Sequence, residues 1–249
     1  MKKILVRADD LGYSEGVNYG IAKSVNDGII SSVGIMTNMP AIQHGLNCLK
    51  KADICLGLHT NICIGKPLCN PQLIPSIVQA NGEFKTSKDY RNAKEDFVVF
   101  DEVILEIEAQ LKKFIELTGK LPDYFEAHAV FSNNFIKGLE YIADKYRLKY
   151  SPITMGEPII VGHTKVYMRM DSIKSDYDPF VSLKDMVENA HEDGCDVMVC
   201  HPGYLDSYIL KTSSLTLPRP LEVEMACDEE IKQWLKQQKD VQLVTYRDL

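Results

Sequence analysis

Short apolar runs alternate with amphipathic stretches along the whole chain, the pattern left by strands and helices taken in turn. KILVRA over residues 3–8 reads as a buried strand, and 15–27 as a helix with Val17, Ile21 and Val25 on one stripe. A strand near 31–37, a helix from about Ala41 to Lys50 and a strand at 54–59 (ICLGLH) follow. Residues 64–95 carry Pro67, Pro71, Pro75 and Gly82 among polar positions and read as a long excursion. Long loops of this kind are usually functional or mobile. A helix over about 96–118 is stopped by Gly119 and Pro122, the expected end punctuation. Next come a strand at 123–128, a helix at 133–146 and a short strand at 147–151. The stretch 152–180 shows no clear period, although Ile159–Val161 and Lys165–Met168 have strand character. A helix at 182–193 leads to the most apolar strand, Cys195–Cys200; a proline-rich loop, a helix over 228–238 and a strand at 241–245 close the chain. Repeated β–α alternation without internal repeats predicts an α/β fold on a parallel sheet, open or closed into a barrel. No linker divides the chain, so a single domain over 1–249 is expected.

Composition narrows the function classes. The chain has 249 residues, 45% hydrophobic and 25% charged, with 28 Lys+Arg against 35 Asp+Glu and a formal charge of −7. That length suits one unit with a sizeable core and no need of staples. The acidic balance argues against nucleic acid as a partner, which calls for a basic patch. The run after the Lys2–Lys3 pair is broken at Arg7 and Asp9, short of the roughly 7–15 apolar residues of a signal peptide. No stretch approaches the roughly 20 apolar residues of a membrane span. Seven cysteines at irregular spacing form no CxxC pair. Reduced thiols in the cytoplasm, rather than a disulfide framework or zinc ribbon, are therefore expected.

The candidate chemistry sits where apolar strands end. The first strand ends in Asp9-Asp10, the strand at 54–59 in His59, the strand at 123–128 in His128, and Cys195–Cys200 in His201-Pro202. In parallel α/β folds such positions gather on one rim, where ligands bind. One carboxylate of the Asp pair could ligate a metal while its neighbour serves as a base. Alternatively, Asp10 caps the following helix and Asp9 is a solvated strand end. Asp10 with two neutral imidazoles, His59 and His128, would make a three-ligand set with positions left open for water and substrate. A lone strand-end histidine can equally be a hydrogen-bonded structural residue. His201, before Pro202-Gly203, suits a general acid because imidazole titrates close to neutrality; the alternative is a turn histidine bonded to backbone. His44, His163 and His191 read as surface residues. Arg7 shares strand parity with Asp9, and Asp9 or Glu126 is its candidate partner.

Taken together, ADDLGYSEGVNYGI (8–21), GLHTNICIGKPL (57–68), the EAH around His128, VCHPGYLD (199–206) and the closing TYRDL resemble the YdjC-like carbohydrate deacetylases, which include chitooligosaccharide deacetylases. The resemblance runs from Ala8 to the C-terminus. It implies a modified (β/α) TIM-like barrel of the glycoside hydrolase/deacetylase type. It also implies a divalent ion, magnesium or zinc, held by Asp10, His59 and His128, with Asp9 as the base and His201 at the active-site rim. The implied chemistry is removal of the N-acetyl group from an acetylated amino sugar or chitooligosaccharide, releasing acetate. A homodimer is implied by analogy alone. Where the family reads Asp-Ser-His-x-His, this chain has Glu126-Ala127-His128-Ala129-Val130. That departure keeps open a sugar-binding or regulatory protein without catalysis. Glycoside hydrolysis suits Asp9 and Asp10 poorly, because adjacent residues on one strand would struggle to flank a glycosidic bond from about 5–9 Å apart.

Overall fold

The computed structural model describes residues 1–49, 53–154 and 156–249. They fall into two compact units: Met1–Gly34, Pro40–Leu56 and Thr154–Leu249 form the first, and Ile35–Met39 with Gly57–Ile153 the second. The architecture is α/β.

In the first unit, β1 (Lys2–Leu11) is the longest strand, buried from Ile4 onward. It is followed by α1 (Glu15–Asn26), β2 (Ser32–Ile35, whose last residue belongs to the second unit), α2 (Ile42–Cys48) and the start of β3 (Cys55–Thr60). Two strands of the second unit come in chain order as β3's remainder and β4 (Tyr124–Ala127). The first unit then adds β5 (Ile159–Val161), β6 (Thr164–Arg169), β7 (Cys195–Cys200) and β8 (Val241–Leu243). Its strands lie in the order β2-β1-β7-β6-β5, with β8 also beside β1. β7 runs parallel to β1 from Lys3↔Cys195 to Ala8↔Cys200, and β8 pairs only Lys2–Ile4. β5 and β6 form an antiparallel hairpin, and β6 runs parallel to β7.

Helix α1 starts at Ser14, whose hydroxyl accepts from Val17 N, and carries Glu15 in its first turn and Lys23 in its last, matching the helix dipole at both ends. Val17, Ile21 and Val25 are fully buried, as their spacing predicts.

In the second unit α3 (Ser87–Asn92), α4 (Phe100–Thr118) and α5 (Asn133–Tyr146) accompany the strand pair β3–β4. α4 buries Val103, Ile107, Leu111 and Phe114 at helical spacing against Phe135, Leu139 and Ile142 of α5. A Cβ on Gly138 would lie 2.9 Å from Ile107 Cδ1, so a larger residue there would make the α4 side chains shift. α4 ends at Gly119 with φ 75°, the left-handed stop that glycine supplies cheaply.

Several expectations need correction. The helix expected from Ala41 runs Ile42–Cys48, and its predicted end at Lys50 lies outside the described residues. Residues 147–151 form no strand; Phe125 and Tyr150 meet in an isolated bridge, with Ser151 N bonded to Phe125 O. The helix expected at 182–193 is α6 (Pro179–Glu188), started by the Asp178 cap and Pro179. α7 (Ser207–Thr212) and α8 (Pro218–Cys227) replace what composition suggested was a proline-rich loop, and α9 (Glu229–Gln237) follows. Pro218 and Pro220 fall in the first turn of α8, where amide hydrogens have no intrahelical partner and proline is tolerated. α3 lies inside the 64–95 excursion, set by a capping box between Thr86 and Asp89.

The excursion is anchored by Glu106, fully buried on α4. Its carboxylate accepts from Leu68 N at 3.1 Å, Cys69 N at 2.8 Å and Gln110 Nε2 at 2.8 Å. Glu106→Ala would leave those donors without their acceptor, at a cost of about 1–3 kcal/mol for a buried group. Expected outcomes are a loss of that order in urea unfolding and faster amide exchange at Leu68 and Cys69.

Candidate active site

The first unit holds the candidate acidic residues, Asp9 and Asp10, and His201. Because Ala8 pairs with Cys200 in the parallel register, Asp9-Asp10 on β1 and His201 just after β7 lie toward the same end of this strand pair. Asp9 and Asp10 are each 1% exposed, which removes the solvated-end alternative. Ser14 rather than Asp10 caps α1. β1 continues through both aspartates to Leu11, past the end that the sequence suggests. Asp10 takes φ 79°, a conformation uncommon for a residue with a side chain and concentrated at functional sites.

Each carboxylate has its own guanidinium. Arg7 Nη2 lies 2.8 Å from Asp9 Oδ2, while its Nη1 donates to Tyr246 OH at 2.8 Å. The parity argument for Arg7 and Asp9 is thereby met. Arg219 Nη2 lies 2.7 Å from Asp10 Oδ2. The same side chain donates from Nε to Leu215 O at 2.8 Å and from Nη1 to His201 O at 3.3 Å. Paired and hydrogen-bonded charges of this kind are the form in which buried ions are tolerated.

His201, half-buried, is held by its backbone: its N donates to Glu222 Oε2 at 2.6 Å. Glu222 is fully buried on α8 and also accepts from Tyr177 OH at 2.8 Å. Burial pushes the Glu222 carboxyl up to about 7, against the pull of Tyr177, the His201 amide and Arg219. The loop after His201 is strapped to α1: Tyr204 N donates to Gly16 O, Gly16 N donates to Asp206 Oδ2, and Gly20 packs on Gly203 where any Cβ would clash.

The second unit holds the candidate imidazoles, His59 and His128. β3 and β4 are parallel with Gly57↔Tyr124, His59↔Glu126 and Thr60↔Ala127 in register. A Cβ on Gly57 would fall 2.2 Å from the Tyr124 ring, so glycine there makes room for the tyrosine. Register places the Glu126 carboxylate against His59 Nδ1. His59 Nε2 then faces His128 Nδ1 at 2.8 Å. His128, half-buried, follows β4 directly, with its N bonded to Thr60 O at 2.8 Å. Ala129 turns the chain with φ 51°, and Val130 N bonds back to His128 O. Gln110 pins the end of β3 by donating to Asn61 O and accepting from Asn61 N.

This donor set suits a metal. With Glu126 bonded to Nδ1, His59 presents Nε2, and a carboxylate behind a ligating histidine is the usual support of such sites. Two imidazole nitrogens turned to each other require either a proton or a cation between them. The other histidines divide. His163 and His191 are exposed, the latter with its ring stacked on Tyr167. His44 is half-buried rather than superficial, because α2 packs on α1 and brings its ring to 3.2 Å from Asn18 Nδ2.

The model of the family described as YdjC-like protein matches residues 3–237. The chain belongs to the YdjC-like family. Carbohydrate deacetylase 2 of Listeria innocua is 29% identical, over 99% of this chain and 98% of its own length. Carbohydrate deacetylase of Geobacillus stearothermophilus is 30% identical, over 98% and 96%. Chitooligosaccharide deacetylase of Proteus mirabilis is 28% identical, over 99% and 100%. A solved Enterococcus faecalis protein, provisionally assigned to cellobiose-phosphate cleavage, shares the fold with a TM-score of 0.85 at 21% identity, covering 99% of this chain and 98% of its own. The fold is thus the modified (β/α) TIM-like barrel type of this YdjC-like family, as the sequence motifs imply.

Sequence reasoning missed Arg219, Glu222 and Tyr177. Arg219 lies between two prolines in a segment that reads as loop, and no spacing ties it to Asp10, 209 residues away. The raised carboxyl of Glu222 has a thermodynamic consequence. The folded YdjC-like chain keeps a proton there that the unfolded chain releases between the ordinary 4.5 and about 7. Its contribution therefore favours folding below that window and is lost as pH rises through it. Glu222→Gln should remove this pH dependence, on the order of 3 kcal/mol across the window, as read by urea unfolding at a series of pH values.

Proposed function

We propose that this YdjC-like protein is a metal-dependent carbohydrate N-deacetylase that hydrolyses the acetamide of an acetylated amino sugar or chitooligosaccharide. The observation that carries the proposal is the Glu126–His59–His128 arrangement, two imidazoles with facing nitrogens and a carboxylate behind one of them. Family membership and the names of the relatives agree with it.

In this proposal Asp10 joins His59 and His128 as the third ligand of a divalent ion. Bound there, the ion supplies Lewis-acid activation of water and of the acetyl carbonyl. Two imidazoles with one carboxylate favour zinc or a similar transition ion, because magnesium prefers an all-oxygen shell.

Asp9, oriented by Arg7, accepts the proton of the attacking water. The water oxygen bonds to the acetyl carbon, and the carbon–nitrogen bond breaks. His201 delivers a proton to the departing nitrogen, which must not leave as an anion. Acetate and a free amino sugar result. Arg219 pairs with Asp10 and ties it to the His201 backbone.

The departure from the family motif at Val130 favours a second reading, a sugar-binding protein without turnover. Val130 is buried at 2% exposure and brings no polar group. Acetate release from acetylated chitooligosaccharides, assayed with several added metals, separates the two readings. Activity supports the deacetylase, and a metal-bound protein inert on the whole panel supports the binder.

Asp9→Asn should lower kcat by about 10²–10⁴-fold with metal content unchanged by elemental analysis. His59→Ala or His128→Ala should lose the metal itself. Glu126→Gln should weaken metal affinity by about 10–100-fold. Wild-type turnover in Asp9→Asn would remove that residue as the base.

A further inference from the structure

The pairing of β7 stops at Ala8↔Cys200 on one side and at Arg169↔Met198 on the other. His201 therefore follows both ladders, and its amide needs an acceptor from outside the sheet. Glu222 on α8 is that acceptor, its Oε2 taking the His201 N–H at 2.6 Å. Two more contacts tie the same stretch to the start of α8. Arg219 Nη1 donates to His201 O at 3.3 Å, and Gly203 N donates to Arg219 O at 3.3 Å. Arg219 and Glu222 stand at i, i+3 on this helix, so one face presents both. The other Glu222 oxygen accepts from Tyr177 OH at 2.8 Å. Tyr177 is next to Asp178, the cap that starts α6, so two helices fix the carboxyl, one at its stem and one at its tip. A buried carboxyl is a costly way to hold an amide, and burial has pushed this one up to about 7. Groups perturbed in this way concentrate at functional sites.

We infer that Glu222, steadied by Tyr177, is a positioning residue for His201, holding its main chain so that the imidazole can deliver a proton to the departing nitrogen; the inference rests on the deacetylase reading above. Glu222 is fully buried and each of its oxygens already accepts a hydrogen bond. It therefore acts through His201 and not on the substrate. A selective consequence follows from the chemistry. Attack of water on the acetyl carbon is common to amides and esters, but only the amide nitrogen must be protonated before it can leave. A 4-nitrophenolate departs as a stable anion and needs no acid. Displacing His201 should thus slow amide cleavage and spare an activated ester, whereas general loosening of the fold would slow both.

The test compares acetate release from N,N′-diacetylchitobiose with hydrolysis of 4-nitrophenyl acetate, under the same added divalent ion. Glu222→Leu should lower kcat on the amide by about 10²-fold, the lower end of what a general acid supplies, with KM unchanged and ester hydrolysis close to wild type. Glu222→Gln keeps an oxygen for the His201 amide and an N–H for the Tyr177 hydroxyl, and should restore amide turnover. In a His201→Ala background Glu222→Leu should add no further loss, because coupled residues are not additive. Amide exchange at His201 should quicken in Glu222→Leu and not in Glu222→Gln. Tyr177→Phe leaves the His201 contact in place; it should show the same split to a smaller degree, and carries the comparison if Glu222→Leu does not fold. Equal losses on amide and ester, a change in KM alone, or full additivity with His201→Ala would each overturn the positioning role. Wild-type protein that releases no acetate from any acetylated sugar removes the deacetylase reading, and this inference with it, before any variant is made.

Discussion

Two adjacent buried carboxylates on one strand govern the first unit. Left alone in an apolar setting, either charge would be driven to neutralise or to drag the strand end into water. Each instead has a separate guanidinium, Arg7 on the same strand for Asp9 and Arg219 on α8 for Asp10. That pairing lets β1 run as a buried strand through Asp9 and Asp10 instead of ending before them. It also obliges α8 to begin where Arg219 can reach both Asp10 and the His201 carbonyl. Breaking one member of such a pair is far costlier than the net worth of the pair itself, because an unmatched charge stays behind.

From those pairs the surroundings of His201 follow. Its carbonyl is held by Arg219 and its amide by Glu222, so its backbone is fixed from both sides. Glu222 is a carboxyl that burial keeps easily protonated, with Tyr177 on its other oxygen. The loop that follows is pressed on α1 through contacts that only glycine permits. The imidazole pair of the second unit is built by different means. There the parallel register of β3 and β4 sets Glu126 beside His59, and a tight turn at Ala129 holds His128 close to the strand end. The replacement of the family's Asp by Glu126 leaves a carboxylate on His59 Nδ1, so the support that orients this ring is kept despite the altered motif.

Much of the fold was legible where the apolar period was strong. α5 and β7 have the boundaries that their patterns predict, and Gly119 ends α4 as expected. Local chemistry misled where two signals competed. Pro218 and Pro220 suggested a loop, although proline is harmless in a first helical turn. Residues 147–151 looked like a strand, but their backbone bonds to Phe125 close after one bridge. Asp9, Asp10, His59, His128 and His201 were legible because each stands at or beside the end of an apolar strand. Their partners Arg219, Glu222 and Tyr177 were not, since no local pattern marks a side chain that crosses from a later helix or loop.

What the sequence determined by itself was the succession of strands and helices, the family, and the residue types available at the strand ends. Those are properties of short windows and fixed spacings, which the chain carries before it folds. Only the tertiary structure decided which cation neutralises which carboxylate and which imidazole nitrogen is presented. These depend on strand register and on the reach of side chains up to 239 residues apart, as between Arg7 and Tyr246, and distances of that kind exist only once the backbone has closed on itself.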